Sequence, residues 1–159
     1  FATAANIKKC LGEYVVEVAG AGGSTTLLVA WTGGDLALSD DERLNTETLA
    51  GLVADIARAG VSVIVYADSC DVGAFARAMD GVSGRWYIAA ADSGNDATVT
   101  PGAFTHALLT HGFMAADDAD TASPLTTGAL FEHTSHYYRY TRFGMAMITC
   151  AGDGTIRVC

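Results

Sequence analysis

The segment from Val61 to Tyr66 constrains the fold of this chain most, because nearly all of its residues are β-branched or aromatic. An uninterrupted apolar run of this kind is typical of a strand that is buried on both faces, as in a parallel sheet. The run stops at Ala67, and an Asp-Ser-Cys-Asp sequence, residues 68–71, follows at once. Open α/β sheets carry their functional sites at the carboxyl ends of central strands. The segment therefore predicts a parallel α/β sheet with a candidate site at Cys70.

Cys70 has two interpretations. A thiol at the end of a central strand can act as a nucleophile, whereas a free cysteine is among the most buried residue types and is then structural. The other cysteines are Cys10, Cys150 and Cys159. They form no C-x-x-C motif with each other or with Cys70, and no histidine lies at metal-ligand spacing from a cysteine. We therefore expect neither a metal site nor a cofactor.

An acidic segment around Asp118 and Asp120 precedes a predicted helix, as a calcium loop does. An EF-hand loop that starts at Asp118 would need glycine at the position of Ser123 and glutamate at the position of Ala129. Both are missing, so we interpret the segment as a solvated loop.

The chain is acidic, with 18 acidic and 9 basic residues among 159 and a formal net charge of -9. This charge argues against nucleic acid and anionic membranes as partners. No apolar run approaches the ~20 residues that a membrane span needs. The length suits a single domain, residues 1–159. Because the chain begins with Phe1 rather than Met, we interpret it as a fragment or a processed chain, and its compartment stays open.

Apolar periodicity and turn signals predict alternating helices and strands, which implies parallel pairing with right-handed crossovers. The predicted helices are residues 4–19, a segment from a cap at Asn45 or Thr46 to Gly60, and residues 73–79, 103–110 and 127–138. The predicted strands are residues 25–31, 61–67, 86–91 and 145–150, with a short hairpin arm at 36–38.

The Asp153-Gly154 pair is a strong hairpin signal, so residues 155–159 are predicted to return as a fifth, antiparallel strand. A two-residue turn would place Cys150 opposite Arg157 and diagonal to Cys159. Diagonal neighbours lie ~7–8 Å apart, so a disulfide there would need a bulge or a longer turn.

Several segments occur in an order that a known family shares. Residues 27–35 are similar to a strand that ends in Ser-Gly-His-Gly, and residues 63–73 to one that ends in Asp-x-Cys-x-x-Gly. Residues 88–96 and 102–109 resemble the strand and helix that follow. In this order the chain resembles the caspase-like cysteine peptidases, nearest to metacaspases and bacterial caspase homologues. The resemblance implies a three-layer α-β-α sandwich with a mostly parallel sheet, and Cys70 as the nucleophile.

The resemblance fails at the catalytic histidine, because Gly34 occupies the matching position. A Cys–His dyad needs an imidazole to lower the pKa of the thiol and to protonate the leaving amine. None of the histidines, at positions 106, 111, 133 and 136, lies in a comparable loop. The sequence therefore predicts an inactive homologue that binds a partner or assembles. An active endopeptidase that cleaves after Arg or Lys, its histidine lost naturally or by engineering at Gly34, is the alternative.

Two acidic residues are candidates for substrate binding. Asp68 matches an acid that lines the pocket for basic side chains in metacaspases, and Asp92 lies where a second one is often found. The resemblance implies that such a pocket accepts Arg or Lys. The alternative is that both carboxylates cap turns.

The family's first βαβ unit, which precedes the opening helix, has no counterpart here. The sheet would then lack two strands beside the segment from Thr25 to Trp31, whose side chains are apolar on both faces. Such an edge carries unpaired backbone groups and invites pairing. We therefore expect another polypeptide or a neighbouring subunit to cover it, in a homo- or hetero-oligomer.

Overall fold

The structure is a computed structural model and describes residues 3–21, 26–31, 36–37, 43–92, 103–113, 124–140 and 148–158. Its helices are α1 (Ala4–Ala21), α2 (Thr46–Arg58), α3 (Val72–Ala78), α4 (Ala103–Ala107), a π-helix (Leu108–Gly112) and α5 (Thr127–Tyr140). Its strands are β1 (Thr26–Trp31), β2 (Leu36–Ala37), β3 (Arg43–Leu44), β4 (Ser62–Cys70), β5 (Trp86–Asp92) and β6 (Ile148–Gly152). The prediction of an α/β fold is confirmed.

The long strands form one sheet in the order β1-β4-β5-β6. β1 runs parallel to β4, with Val29 beside Val65, and β4 runs parallel to β5, with Val65 beside Ile88. β6 is antiparallel to β5 and places Cys150 beside Ala89. The predicted parallel pairing is confirmed for β1, β4 and β5, whereas the last strand, β6, is antiparallel. The short arm predicted at 36–38 is also present, as β2 paired antiparallel with β3.

One face of the sheet packs against α1, α2 and α3. Val65 and Ile88 form a buried cluster there with Val53 of α2 and Phe75 of α3, and half-buried Leu11 brings α1 onto it. Full burial of each large apolar side chain stabilises the fold by about 1.5–3 kcal/mol.

The opposite face packs against α4, the π-helix and α5. Ile64 and Tyr87 form a second buried cluster with Phe104 of α4, Leu130 of α5 and Ile156. Successive residues of a strand point to opposite faces. Because both faces are covered, the central strand needs apolar residues at odd and even positions alike, which explains the run at residues 63–67.

Helix α2 shows how local sequence sets the boundaries of the elements. The Asn45 side chain accepts a hydrogen bond from the backbone amide of Thr48 at 2.8 Å and so caps the helix. Gly60, at φ +90°, turns the chain out of the helix towards β4. Both boundaries agree with the prediction.

Within the described residues, no helix is long and apolar enough to cross a membrane.

Strand β4 is longer than predicted. The apolar run ends at Ala67, but pairing with β5 continues to Cys70, which lies beside Asp92. The register shifts between Ala67 and Cys70, so β4 carries an irregularity of the β-bulge type there. Only the predicted end at residue 67 was wrong, because backbone pairing does not depend on apolar side chains. Asp92 likewise belongs to β5 rather than to a loop.

The predicted fifth strand is wrong. After β6 the chain turns at Asp153, whose carboxylate accepts from the backbone amide of Thr155 at 2.9 Å. Residues 154–158 then run along the start of α5, where Val158 donates to the carbonyl of Leu125 and Thr127 donates to that of Ile156. Arg157 forms a bridge with Thr126 instead of facing Cys150. Cys150 is an exposed free thiol, and Cys159 lies outside the described residues.

Candidate functional site

The carboxyl end of β4 runs directly into helix α3. Cys70 is the last residue of the strand, and Asp71 follows as the N-cap of α3. The carboxylate of Asp71 accepts from the backbone amide of Ala74 at 2.8 Å. The end of β4, the single residue Asp71 and helix α3 therefore fix the backbone on both sides of Cys70. Cys70 lies, as predicted, at the carboxyl end of a central strand.

Asp68 lies two residues before Cys70, and its side chain is buried, with the residue 1% exposed. Both carboxylate oxygens accept hydrogen bonds from Thr105: Oδ1 from the backbone amide at 2.9 Å and Oδ2 from the hydroxyl at 2.8 Å. A carboxylate at this place satisfies an amide of the first turn of α4 and complements the helix dipole. The contacts are those of a helix cap, and the substrate-binding role of Asp68 stays a prediction.

Asp92 is brought close to Cys70 by the sheet, since the two residues are register partners at the ends of β5 and β4. Their side chains are not among the described atoms. The loop 32–35, which contains Gly34, and the acidic segment with Asp118 and Asp120 also lie outside the described residues. We expect residues 32–35 to lie next to Cys70, because the carboxyl ends of neighbouring parallel strands meet at one edge of the sheet, and this stays a prediction.

The histidines all lie on helical segments. His106 is on α4, His111 on the π-helix, and His133 and His136 on α5. These helices cover the second face of the sheet, whereas a dyad histidine would come from the loop after β1. Among the described residues, no group of His, Cys, Asp or Glu is arranged to hold a metal ion.

Thr105 and Asp71 are site residues that the sequence argument missed. Asp71 directly precedes a short apolar helix, which is a sequence signal for an N-cap. Thr105 gave no comparable signal, because its partner Asp68 lies 37 positions earlier in the chain. Only the packing of α4 against the end of β4 brings the two together.

Strand β1 forms one edge of the sheet. Its inner side pairs with β4 from Thr26 to Trp31, and no strand of the described chain pairs with its outer side. Thr26 is exposed and Val29 is half-buried against the first core. Every second backbone amide and carbonyl of a parallel edge strand faces outward, so this side of the sheet can accept another strand.

Comparison of the chain with protein families, with curated proteins and with solved structures gave no significant match. The resemblance to caspase-like peptidases therefore rests on the order of the segments in the sequence alone.

Proposed function

We propose that this chain is a caspase-like domain without peptidase activity, which works by pairing its edge strand β1 with a strand of another polypeptide. The observation that carries the proposal is the position of β1 at the edge of a sheet that is covered by helices on both faces. The partner we propose is β1 of a second copy of the chain, so that the function is self-assembly.

The caspase-like part of the proposal is supported by topology. Parallel strands β1, β4 and β5 are followed by an antiparallel β6, and helices pack on both faces. Cys70 ends β4 directly before a helix, as the resemblance to the Asp-x-Cys-x-x-Gly segment implies. The side of β1 that no described strand pairs with lies where the family's first two strands would pair. A three-layer sandwich without that first βαβ unit fits these observations.

The absence of peptidase activity is supported by Gly34. Glycine has no side chain that could lower the pKa of a thiol or donate a proton to a leaving amine. In addition, the carboxylate of Asp68 is buried and bound to Thr105 through both oxygens. A carboxylate engaged in this way offers less to a basic substrate side chain than a free one.

Self-assembly is supported by the composition of β1, Thr-Leu-Leu-Val-Ala-Trp. In natural edge strands, Lys, Pro or inward-facing charges discourage pairing with another strand. β1 contains none of these residues. Two copies of such an edge can pair antiparallel about a twofold axis, which closes the assembly as a dimer.

Light scattering coupled to size-exclusion chromatography tests the assembly. We expect a dimer that dissociates on dilution, and we expect Thr26→Lys, which charges the exposed start of β1, to raise the dimer dissociation constant by about tenfold or more. Ser83→Lys adds the same charge at an exposed turn between α3 and β5 and should leave the constant unchanged. A monomer at all concentrations, or equal effects of the two variants, would contradict the proposal.

The alternative, an active cysteine endopeptidase, is favoured by one observation: Cys70 lies at the carboxyl end of a central strand, beside Asp92 in register. Fluorogenic peptides that end in Arg or Lys separate the two functions. We expect no turnover by the chain, with or without calcium. Turnover that is lost in Cys70→Ala would establish the alternative, and gain of such turnover in Gly34→His would show that the basic-specific pocket is intact.

A further inference from the structure

A cavity of about 750 Å³ lies on the first helical layer, between α1, α2 and the end of α3. Leu11 of α1 and Leu52 and Ile56 of α2 give it an apolar wall. Lys8, one turn before Leu11, adds a cation to the lining. The volume lies within the range of about 300–1,000 Å³ that is typical of small-molecule sites.

Two glycines in helix interiors, Gly12 of α1 and Gly51 of α2, line the same cavity. A glycine inside a helix is less favourable than alanine because it loses more backbone freedom on folding. At both positions an added Cβ would meet no atom within 4 Å. The described chain therefore gives no steric reason for either glycine. A bound molecule that lies close to the two helix backbones would be such a reason, because a side chain at either position would then collide with it.

The charges of the lining indicate which kind of molecule fits. Arg58 is paired with Asp55 at 3.0 Å, whereas no described carboxylate pairs with Lys8. The chain as a whole carries a formal charge of -9, so a cation beside an apolar wall is a local exception on an acidic protein. The combination of this cation and the apolar wall favours binding of an anion that also has an apolar part.

We propose that this cavity binds a small amphipathic carboxylate, with its aliphatic part against Leu11 and Leu52 and its carboxylate at Lys8. The site is independent of strand β1 and of Cys70, because its described lining contains no residue of β1 and does not contain Cys70. The glycines then serve to let the aliphatic chain lie against the helix backbones.

Isothermal titration calorimetry with octanoate and with 1-octanol tests the proposal on the full chain. We expect saturable binding of octanoate with a Kd below about 1 mM. Lys8→Gln should weaken octanoate binding about fivefold and leave octanol binding unchanged, as expected for loss of one exposed charge contact. Lys9→Gln is the matched control, because Lys9 is 71% exposed and pairs with Glu13 instead, and it should bind octanoate as the unaltered chain does.

Gly51→Leu fills the cavity from its α2 wall and should abolish binding of both ligands while far-UV circular dichroism stays unchanged. The proposal is overturned by absence of saturable binding to the unaltered chain, by binding that survives Gly51→Leu, or by equal loss in Lys8→Gln and Lys9→Gln. Octanoate and octanol binding that are equally insensitive to Lys8→Gln would overturn the carboxylate as the ligand class.

Discussion

Thr105 donates two hydrogen bonds to the buried carboxylate of Asp68, one from its backbone amide at 2.9 Å and one from its hydroxyl at 2.8 Å. The pair joins the polar end of β4 to the first turn of α4. A buried carboxylate is costly unless its oxygens are hydrogen-bonded, so the position of α4 and the burial of Asp68 support each other. The end of β4 that carries Cys70 is held in place partly by this contact.

Replacing Thr105 with valine should therefore destabilise the fold. Valine keeps the shape and the backbone donor but removes the hydroxyl, which leaves Oδ2 of Asp68 buried without that partner. We expect the free energy of unfolding to fall by about 1–3 kcal/mol, measured by urea denaturation. Thr105→Ser keeps both donors and should cost no more than about 1 kcal/mol for the lost methyl group. Equal losses in the two variants would show that the hydroxyl contact contributes little.

The pair of Arg85 and Asp153 predicts a pH dependence of stability. Arg85 Nε lies 2.8 Å from Asp153 Oδ2, and this hydrogen bond, together with those from Thr155, lowers the pKa of Asp153 from 3.8 to about 2. Because the folded-state pKa is depressed, the stabilisation is complete above about pH 5 and is lost as the pH falls through about 2. The two side chains are 49% and 34% exposed, so solvent limits the contribution to about 1 kcal/mol.

Urea denaturation of Asp153→Asn at several pH values measures this contribution. We expect the variant to be about 1 kcal/mol less stable at pH 7 and to converge with the unaltered chain towards pH 2. Asp55→Asn is the control, because Asp55 pairs with Arg58 on an exposed helix surface, and it should cost less than about 0.5 kcal/mol at pH 7. Parallel pH curves for the unaltered chain and Asp153→Asn would contradict the prediction.

The sheet could be predicted from the sequence because burial on both faces leaves a continuous apolar signal. The strand predicted at 61–67 became β4, and that at 86–91 became β5, with no end off by more than three residues. The polar residues that extend β4 to Cys70 could not be assigned in this way, since pairing with Asp92 is a backbone interaction. The π-helix at Leu108–Gly112 leaves no periodic signal that separates it from the predicted helix 103–110.

The prediction of an antiparallel strand at residues 155–159 was wrong because of contacts that are distant in sequence. Asp153-Gly154 is a hairpin signal when only neighbouring residues are considered. In the structure, Asp153 is held by Arg85, 68 positions away, and the hydroxyl of Thr127 donates to its carbonyl. The same limit applies to the candidate site: the family resemblance selected Asp68 as a substrate-binding residue, but its contact with Thr105 depends on tertiary packing.

Gly84 and Gly60 provide a matched test of backbone packing. Both have positive φ, at 109° and 90°, so alanine is strained at either position. At Gly84 a Cβ would also overlap the carbonyl of Ala57, whereas at Gly60 it would meet nothing within 4 Å. We expect Gly60→Ala to cost about 1–2 kcal/mol and Gly84→Ala at least about 2 kcal/mol more. Thermal and urea denaturation should rank them in this order, and equal costs would mean that the contact at Ala57 relaxes freely.

Gly51 offers the opposite expectation, since its replacement should stabilise the protein. It lies in the interior of α2, is exposed, and an added Cβ would meet no atom within 4 Å. Alanine there improves helix propensity without a clash, so we expect Gly51→Ala to raise the free energy of unfolding by about 0.5–1 kcal/mol. Gly128, in the first turn of α5, is the comparison, because its Cβ would approach the carbonyl oxygen of Gly154 to 3.0 Å. Gly128→Ala should therefore gain less or lose stability. If Gly51→Ala destabilises the chain in urea denaturation, a group outside the described residues packs against Gly51 already.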